Sequence, residues 1–549
     1  MKFISLLFTS LVASHEYMQP LKVVVHSGYG TSSHAKPLLE IGSLLRARNH
    51  TVVYASFDGY EQFNKPYQFR FASLGSFKNQ HAKTKKNLGR REEQDHLKHF
   101  LDNVGIMLID AYAAVYPSLS KVIEEENPDI IACDFFSPAC RDVAEMKGIP
   151  LITGFQSTDM LGIAPSSFIT SSLNYGSITT DNLSFFHRFQ DKIFVPIKRA
   201  YYGREFMKRM NQIRAKHNVP PSSLPFGDFS TSLAIANTFE GLEAATPLPP
   251  NIKMIGPIRS DSYPSLTPEL TKFLDAHPRT LYIAFGTIVL LADFDIENLV
   301  LASLSSLAEG SIDGILWGLG KTIADDFPER FTFNGTEIAR DTLFNDKHPH
   351  IRLLPWAPQA AILEHKNTRL FISHGGLESI AEASLSGTPM LTIPFFGDQP
   401  RNARKLEDAG TGKYVNRLSA TPATLARKIK SMLDDKSRTI AANVKRMQII
   451  AHMGSRRKEM GADAFEEYAY TAQACRPIYP HKYGEVPCEL KHLTMASREM
   501  AFIRANAIDV YAAAFFLIIA AAFTSLYILW AVASCFEKQS PRYLNKKNL

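Results

Sequence analysis

At 549 residues the chain is too long for one ordinary hydrophobic core, so two domains are expected. Hydrophobic residues make up 45% and charged residues 21%, a globular balance that excludes a disordered chain and leaves room for an apolar addition. The net charge of +7 is modest and its basic residues are scattered, so no nucleic-acid partner is expected; the densest run, Lys83-Thr84-Lys85-Lys86 with Arg90-Arg91, reads as a solvated loop, near lipid headgroups if near anything.

The chain opens with a lysine, an apolar run from Phe3 to Val12 and then Ala13-Ser14, which resembles a signal peptide over residues 1–14. Leu21 to His26 is a short valine-rich strand. A loop follows, Gly28 to Ser33, and then a helix from His34 to Arg48 with apolar residues at Leu38, Ile41, Leu44 and Leu45. Thr51 to Ala55 is a second strand. This is the strand-helix-strand opening of a parallel sheet, with the loop at the carboxyl edge of its first strand. Phe69 to Leu74 is a third strand candidate, and Lys78 to Gln94 a polar loop. Asp95 to Glu126 reads as one or two helices, Asp129 to Cys133 as a strand ending at Asp134, Ser137 to Lys147 as a helix and Pro150 to Thr153 as a strand. Ser157 to about Asn218 is aromatic-rich and helical. Leu233 to Asn237 closes this half.

Pro247, Pro249, Pro250, Pro257 and Pro264 mark a stiff linker. A second α/β half begins at Leu281 to Phe285, with Gly286-Thr287 at its carboxyl end. Strands are expected at Gly314 to Leu319, Ile351 to Leu354, Thr368 to Ser373 and Pro389 to Ile393, with helices between them and at Thr421 to Asp434 and Lys436 to Met453. Phe465 to Ala474 and Met495 to Ala505 read as helices that pack back on the first half. Val510 to Ala533 carries no charge and is long enough to cross a hydrocarbon layer of ~30 Å, with Tyr511, Tyr527 and Trp530 toward its ends. Lys538, Arg542, Lys546 and Lys547 follow against one acid, Glu537, which places the tail in the cytosol and the bulk of a type I protein in a lumen. Lys546 and Lys547 resemble a dilysine retrieval signal of the endoplasmic reticulum. The sequons at Asn49, Asn182 and Asn334 are usable in that compartment.

The expected division is therefore 21–245, a linker at 246–280, 281–455, return helices and a juxtamembrane segment at 456–509, a membrane helix at 510–533 and a basic tail at 534–549. The five cysteines show no CxxC spacing, so no zinc site is expected. Cys475 and Cys488 are close enough in sequence to form a disulfide in an oxidising compartment, or to remain thiols.

The stretch from Trp356 to Gln399 carries most of the information. A buried strand, Thr368 to Ser373, runs into His374-Gly375-Gly376 and then a helix from Leu377 to Ser386; a second strand leads to Gly397-Asp398-Gln399. A strand-loop-helix unit with glycines at the turn brings backbone N–H groups and a helix N-terminus up to a phosphate. An aromatic ring, Trp356, and the hydrogen-bonding side chains of Gln359, Glu382, Asp398 and Gln399 flank it. Two doubly wound domains face each other across strand carboxyl ends, where open α/β sheets bind ligands.

This stretch closely resembles the signature of the UDP-glycosyltransferase superfamily, without a gap: WAPQ at Trp356 to Gln359, HGG at His374 to Gly376, Ser379, Glu382, GTP at Gly387 to Pro389 and GDQ at Gly397 to Gln399. The resemblance implies a GT-B fold, two facing Rossmann-like domains with the acceptor bound by the first and the UDP-sugar by the second, plus the C-terminal transmembrane helix. Trp356 resembles the residue that stacks on uracil. Gln359 and Glu382 resemble the ribose binders. His374, Gly376, Ser379 and Thr287 resemble the diphosphate contacts, and Asp398 with Gln399 the pair that holds the sugar hydroxyls. His34, with Pro37 behind it, resembles the catalytic base, and Asp134 the acid that orients it.

What this implies is inverting transfer of a hexose from a UDP-sugar to a hydroxyl of a lipophilic small molecule or lipid. Neither a metal nor a cofactor is implied beyond the UDP-sugar co-substrate. The expected surroundings are a membrane and, compatibly, an oligomer. The alternative is a non-catalytic sugar-nucleotide-binding or regulatory membrane subunit. Asp293-Phe294-Asp295 reads as a helix start or surface pair. One position departs from the pattern: the family commonly has Asn before the place of Ser379, and here Glu378 stands there. A carboxylate aimed at a diphosphate is costly, so Glu378 points away, contacts a sugar hydroxyl, or alters donor choice.

Overall fold

The computed structural model describes residues 19–28, 32–77, 105–161, 166–171, 176–224, 229–260, 263–320, 326–344, 347–498 and 500–539. The signal-peptide resemblance, the basic run at 83–91 and the lysine pair at 546–547 lie outside them. The chain forms two compact units, Met1–His492 and Leu493–Leu549.

The first unit is built on two parallel sheets. One contains β1 (Lys22–His26), β2 (Thr51–Ser56), β3 (Arg70–Ser73), β4 (Ile130–Asp134), β5 (Leu151–Phe155), β6 (Leu233–Ala236) and β7 (Ile252–Met254), in the order β3-β2-β1-β4-β5-β6-β7. Val23, Val24, Val25, Ile130 and Ile131 are all buried, so these strands read as continuous apolar runs because helices cover both faces. The order reverses between β1 and β4, the kind of switch point beyond whose strand carboxyl ends open α/β sheets bind ligands.

The other sheet holds β8 (Thr280–Ala284) and β9 (Gly314–Gly318). An antiparallel hairpin, β10 (Arg330–Phe333) with β11 (Thr336–Ala339), stands outside it. Then come β12 (Ile351–Leu354), β13 (Thr368–Ser373), β14 (Met390–Thr392) and β15 (Gly412–Tyr414), and the sheet order is β12-β9-β8-β13-β14-β15. Its switch point lies between β8 and β13.

Several elements depart from the sequence pattern. The pattern closes the first half at Leu233–Asn237, but β7 adds a seventh strand, pairing Ala234 with Ile252. β7 is three residues long and flanked by prolines, as suits an edge strand, and is too short to show a period. It lies inside the expected linker, so the connection between the sheets begins after it. The β10–β11 hairpin turns on Asn334-Gly335, both with positive φ (49° and 77°), a turn that hides in the sequence as a sequon. Met495–Ala505 is two short turns, Ala496–Arg498 and Phe502–Ala505, where the pattern suggests one helix.

The helix Lys458–Cys475 lies against the first half's helix Ser32–Ala47. Arg48 meets Glu459, Asp463 and Glu466 there, and His50 Nε2 lies 2.8 Å from Glu466 Oε1. Cys475 and Cys488 are bonded to each other. So are Cys133 at the end of β4 and Cys140 in the helix Pro138–Lys147, a pair that the sequence does not announce.

The second unit is dominated by the helix Ile508–Gln539. Over Ile508–Cys535 its mean hydropathy is 2.3, and it is long and apolar enough to cross a membrane. The helix Ile106–Glu126 also passes that length test, yet Tyr112, Val115 and Leu119 are buried in the first core, so it is a core helix.

Candidate active site

β1 and β4 run side by side in register, with His26 beside Cys133, so the loop leaving β1 and Asp134 at the end of β4 emerge together. The helix Ser32–Ala47 starts from that loop and carries His34 in its first turn. His34 Nδ1 lies 2.8 Å from Asp134 Oδ1. Asp134 is buried, and its Oδ2 accepts from the Phe136 N–H at 3.2 Å. The Phe136 ring stands edge-on to the imidazole, with centroids 5.1 Å apart. Burial lowers the His34 pKa, but the charge and hydrogen bond of Asp134, with the charges of Asp398 and Glu378, outweigh it and leave the pKa above 6.5.

A second histidine lies beneath this pair. His26 is buried, with Nδ1 2.9 Å from the Ala55 carbonyl and Nε2 2.8 Å from Ser137 Oγ. The carbonyl requires a proton on Nδ1, so Nε2 accepts from the serine. Burial drives its pKa down to about 4, which keeps it neutral and makes it a support for the switch point. In the sequence it is merely the end of a buried strand.

In the second half, Gly286-Thr287 leaves β8 and His374-Gly375-Gly376 leaves β13, again as neighbours. The His374 ring fills the space between them. A Cβ on Gly286, whose φ is +68°, falls 3.0 Å from its Cε1, and one on Gly376 falls 2.4 Å from its Nε2, so a side chain would be strained at the first and would displace the ring at the second. Burial pushes the His374 pKa down to about 4, leaving a neutral imidazole with Nδ1 3.1 Å from Ser373 Oγ. Thr287 is exposed, and Ser379 is buried in the first turn of the helix Leu377–Ser386.

Gln359 opens a short helix and donates from Nε2 to Ser379 Oγ at 3.2 Å and to Glu382. The Glu382 pKa is raised to about 7, by burial first and then by the charge of Glu378. The Trp356 ring is 66% exposed, so it is not a core residue. Asp398 directly precedes the helix Gln399–Asp408 without a side-chain capping hydrogen bond; burial raises its pKa, against a hydrogen bond from Asn402 at 2.7 Å and the charge of His34. Gln399 differs from expectation. It is buried, and its Oε1 accepts from the Phe395 and Phe396 N–H groups at 2.9 and 3.2 Å, so its side-chain oxygen secures its own loop.

Glu378 points to the other half. Its Oε1 accepts from Lys36 Nζ at 2.9 Å and its Oε2 from Ser32 Oγ at 3.3 Å. The helix Gln399–Asp408 makes a second junction. Lys405 Nζ lies 2.6 Å from Glu243 Oε2 and 2.5 Å from Asp159 Oδ2, and Arg401 Nε lies 3.0 Å from Asp159 Oδ1. Neither junction is visible in local sequence. Asp293-Phe294-Asp295 is a helix start: Asp295 accepts from the Ala292 N–H at 2.8 Å and from Arg417 Nε at 2.8 Å. Asp295 is buried while Asp293 is exposed, so only one acid of the pair lies at the surface.

Two facing Rossmann-like domains, with an imidazole–carboxylate pair on one and a glycine-lined helix start on the other, define the GT-B class of glycosyltransferase. Residues 75–453 match the family model described as UDP-glucoronosyl and UDP-glucosyl transferase. A UDP-glycosyltransferase of Talaromyces amestolkiae is 28% identical over 494 residues, covering 87% of this chain and 91% of that protein. UDP-glycosyltransferase 1 of Phaeomoniella chlamydospora is 31% identical over 405 residues, covering 73% and 80%. The fold resembles that of a UDP-glucosyltransferase from Polygonum tinctorium capable of glucosylating indoxyl, solved with 3,4-dichloroaniline: the TM-score is 0.55 at 20% identity, covering 82% of this chain and 99% of that one. The chain belongs to the UDP-glucoronosyl and UDP-glucosyl transferase family and is a UDP-dependent glycosyltransferase.

Proposed function

We propose that the protein transfers a hexose from a UDP-sugar to a hydroxyl of a lipophilic small molecule or lipid, inverting the anomeric centre, with His34 as general base. The observation that carries this reading is the 2.8 Å contact between His34 Nδ1 and Asp134 Oδ1 at the first sheet's switch point, in electrostatic reach of Asp398 from the second half. Asp134 fixes the tautomer with the proton on Nδ1. His34 Nε2 takes the acceptor proton as that oxygen attacks the anomeric carbon, and Asp134 stabilises the imidazolium. UDP leaves from the opposite face, so one displacement inverts the configuration.

The donor is held by the second half. Trp356 stacks on uracil, and Gln359 with Glu382 binds the ribose. His374, Ser379, Thr287 and the backbone at Gly376 hold the diphosphate at the start of the helix Leu377–Ser386 and stabilise charge on departing UDP. Asp398 accepts from sugar hydroxyls while Gln399 secures its loop. The reading needs no metal and no cofactor beyond the UDP-sugar. The exposed apolar helix Ile508–Cys535 supports a single membrane span, and the basic tail a type I orientation in the endoplasmic reticulum. Exposed aromatic side chains at Phe185, Phe186, Phe189 and Phe194 support an apolar acceptor.

The test is UDP release by detergent-solubilised full-length protein over a panel of UDP-sugars, with one phenol and one sterol as acceptors. Product configuration is read by NMR. Retention at the anomeric carbon, or wild-type turnover by His34→Ala, overturns the mechanism.

A further inference from the structure

We propose that Lys36 is a donor-binding residue: it is the cation that meets the diphosphate of the donor from the first half, and Glu378 is its holder when the cleft is empty. The proposal rests on the reading of this cleft as a UDP-sugar site.

Two helix starts face each other here. On the helix Ser32–Ala47, Ser32 and Lys36 are four residues apart and share a face. On the helix Leu377–Ser386, Glu378 and Glu382 have the same spacing. The two faces meet, with Lys36 Nζ 2.9 Å from Glu378 Oε1 and Ser32 Oγ 3.3 Å from Glu378 Oε2. Both carboxylate oxygens of Glu378 are thus engaged by the opposite half. The charges of Glu378, Glu382 and Glu40 all favour the ammonium form of Lys36, against burial.

Stability does not explain the pair. The Lys36 and Glu378 side chains are 37% and 33% exposed, and ion pairs so open to water contribute little to folding. Location does explain it. Glu378 sits in the first turn of the helix whose N-terminus would receive the diphosphate, next to Ser379. A carboxylate there already satisfies the positive helix end and repels a second anion. Where the family commonly has Asn, this chain carries a negative charge, and a compensating positive charge is needed within reach. The contact with Glu378, beside Ser379, holds the Lys36 ammonium at the start of the helix Leu377–Ser386, and a diphosphate offers it a stronger partner than a single carboxylate. On donor entry Lys36 passes from Glu378 to the phosphate oxygens, and Glu378 keeps the Ser32 hydroxyl. Lys36 is therefore also a tie between the halves that tightens with donor bound.

The test is calorimetric titration of UDP and of uridine into detergent-solubilised full-length protein, with donor kinetics. Wild type is compared with Lys36→Gln, Lys36→Arg, Glu378→Gln and the double variant Lys36→Gln/Glu378→Gln. Lys36→Gln is expected to weaken UDP about tenfold or more, equal to about 1.4 kcal/mol. It should raise the donor KM in step and leave uridine affinity unchanged, since uridine has no phosphate. Lys36→Arg should retain most of the affinity. Glu378→Gln should strengthen UDP binding, and the double variant should recover much of the loss, because the carboxylate that repels the diphosphate is then gone together with the cation that offset it. UDP bound by Lys36→Gln within about twofold of wild type overturns the proposal and leaves the donor site standing. Equal weakening of UDP and uridine also overturns it, as a structural effect. A wild-type protein that binds neither UDP nor uridine overturns the donor-site reading itself.

Discussion

Lys405 and Glu243 meet 2.6 Å apart, both buried, and they come from opposite halves of the first unit. Lys405 also reaches Asp159, and one turn earlier Arg401 reaches the same carboxylate. The helix that bears them begins at Gln399, directly after Asp398. The sugar end of the proposed donor site is therefore anchored to the first half through buried charge.

Removing Lys405 leaves Glu243 buried without its cation and Asp159 with Arg401 alone. Lys405→Met should cost about 3–5 kcal/mol, the range for breaking a buried ion pair. Denaturant unfolding measures it, and a midpoint unchanged from wild type would sink the idea. The pH dependence follows from the signs. Burial raises the Asp159 pKa, but Lys405 and Arg401 hold it below its ordinary value. Its contribution is full above the unfolded value of about 3.9 and is lost as pH falls through the lowered folded value. The Lys405 pKa is raised, by Asp159 and Glu243 against burial. Its contribution is full below about 10.4 and lost only as pH climbs through the raised value. The junction should hold throughout the neutral range.

The His34–Asp134 pair predicts an acid limb in the rate. A base must be neutral to accept a proton, so kcat/KM should rise with pH through the His34 pKa, which lies above 6.5 in the donor-free protein. Asp134→Asn removes the charge and hydrogen bond that hold that pKa up, while the burial that lowers it remains. The limb should move to lower pH, and turnover should fall by about a hundredfold or more as the tautomer loses its guide. An acid limb at the same pH in Asp134→Asn would count against Asp134 as its cause.

Both sheets are legible in the sequence for a physical reason. Strands buried on two faces are apolar through their centres, as in Val23–Val25 of β1, Ile130–Ala132 of β4, Leu281–Ala284 of β8 and Leu370–Ile372 of β13. The residues after them are legible because the switch point fixes where a ligand goes. β7 is not, since three residues between prolines show no period. Gln399 fits the motif by type, and only its hydrogen bonds to Phe395 and Phe396 separate holding a loop from holding a sugar. Glu378 is conspicuous in the sequence, but Lys36, which answers it, lies 342 residues away. The Lys405–Glu243 contact spans 162 residues. Long-range ion pairs leave no local pattern to read.

Trp356 is 66% exposed, a large aromatic surface left open to water in the donor-free protein. If it stacks on uracil, Trp356→Ala should weaken UDP by roughly 1–3 kcal/mol, the usual range for one base on an aromatic ring. Folding stability should change little, because so exposed a side chain adds little to the core. Calorimetry with UDP and with uridine checks this, and both should weaken alike, unlike the Lys36 variants. A UDP dissociation constant unchanged by the substitution removes Trp356 from the site.

Asp293-Phe294-Asp295 has the form of a metal-binding acidic pair, and the structure uses it otherwise. Asp295 caps the helix Asp293–Ala308 through the Ala292 N–H and is held by the buried guanidinium of Arg417, whose Nε lies 2.8 Å away. Asp295→Ala removes the cap and the carboxylate that pairs with that buried guanidinium, so folding stability should fall by about 3–5 kcal/mol. Asp293→Ala, at an exposed first-turn position, should cost no more than about 1 kcal/mol through the helix dipole. Neither change touches the residues assigned to the diphosphate. The folded fraction of each variant should therefore keep the wild-type donor KM, and its response to added Mn²⁺ or EDTA should match that of wild type. A donor KM that rises selectively in Asp293→Ala, with stability unaltered, would place this acidic pair in the donor site after all.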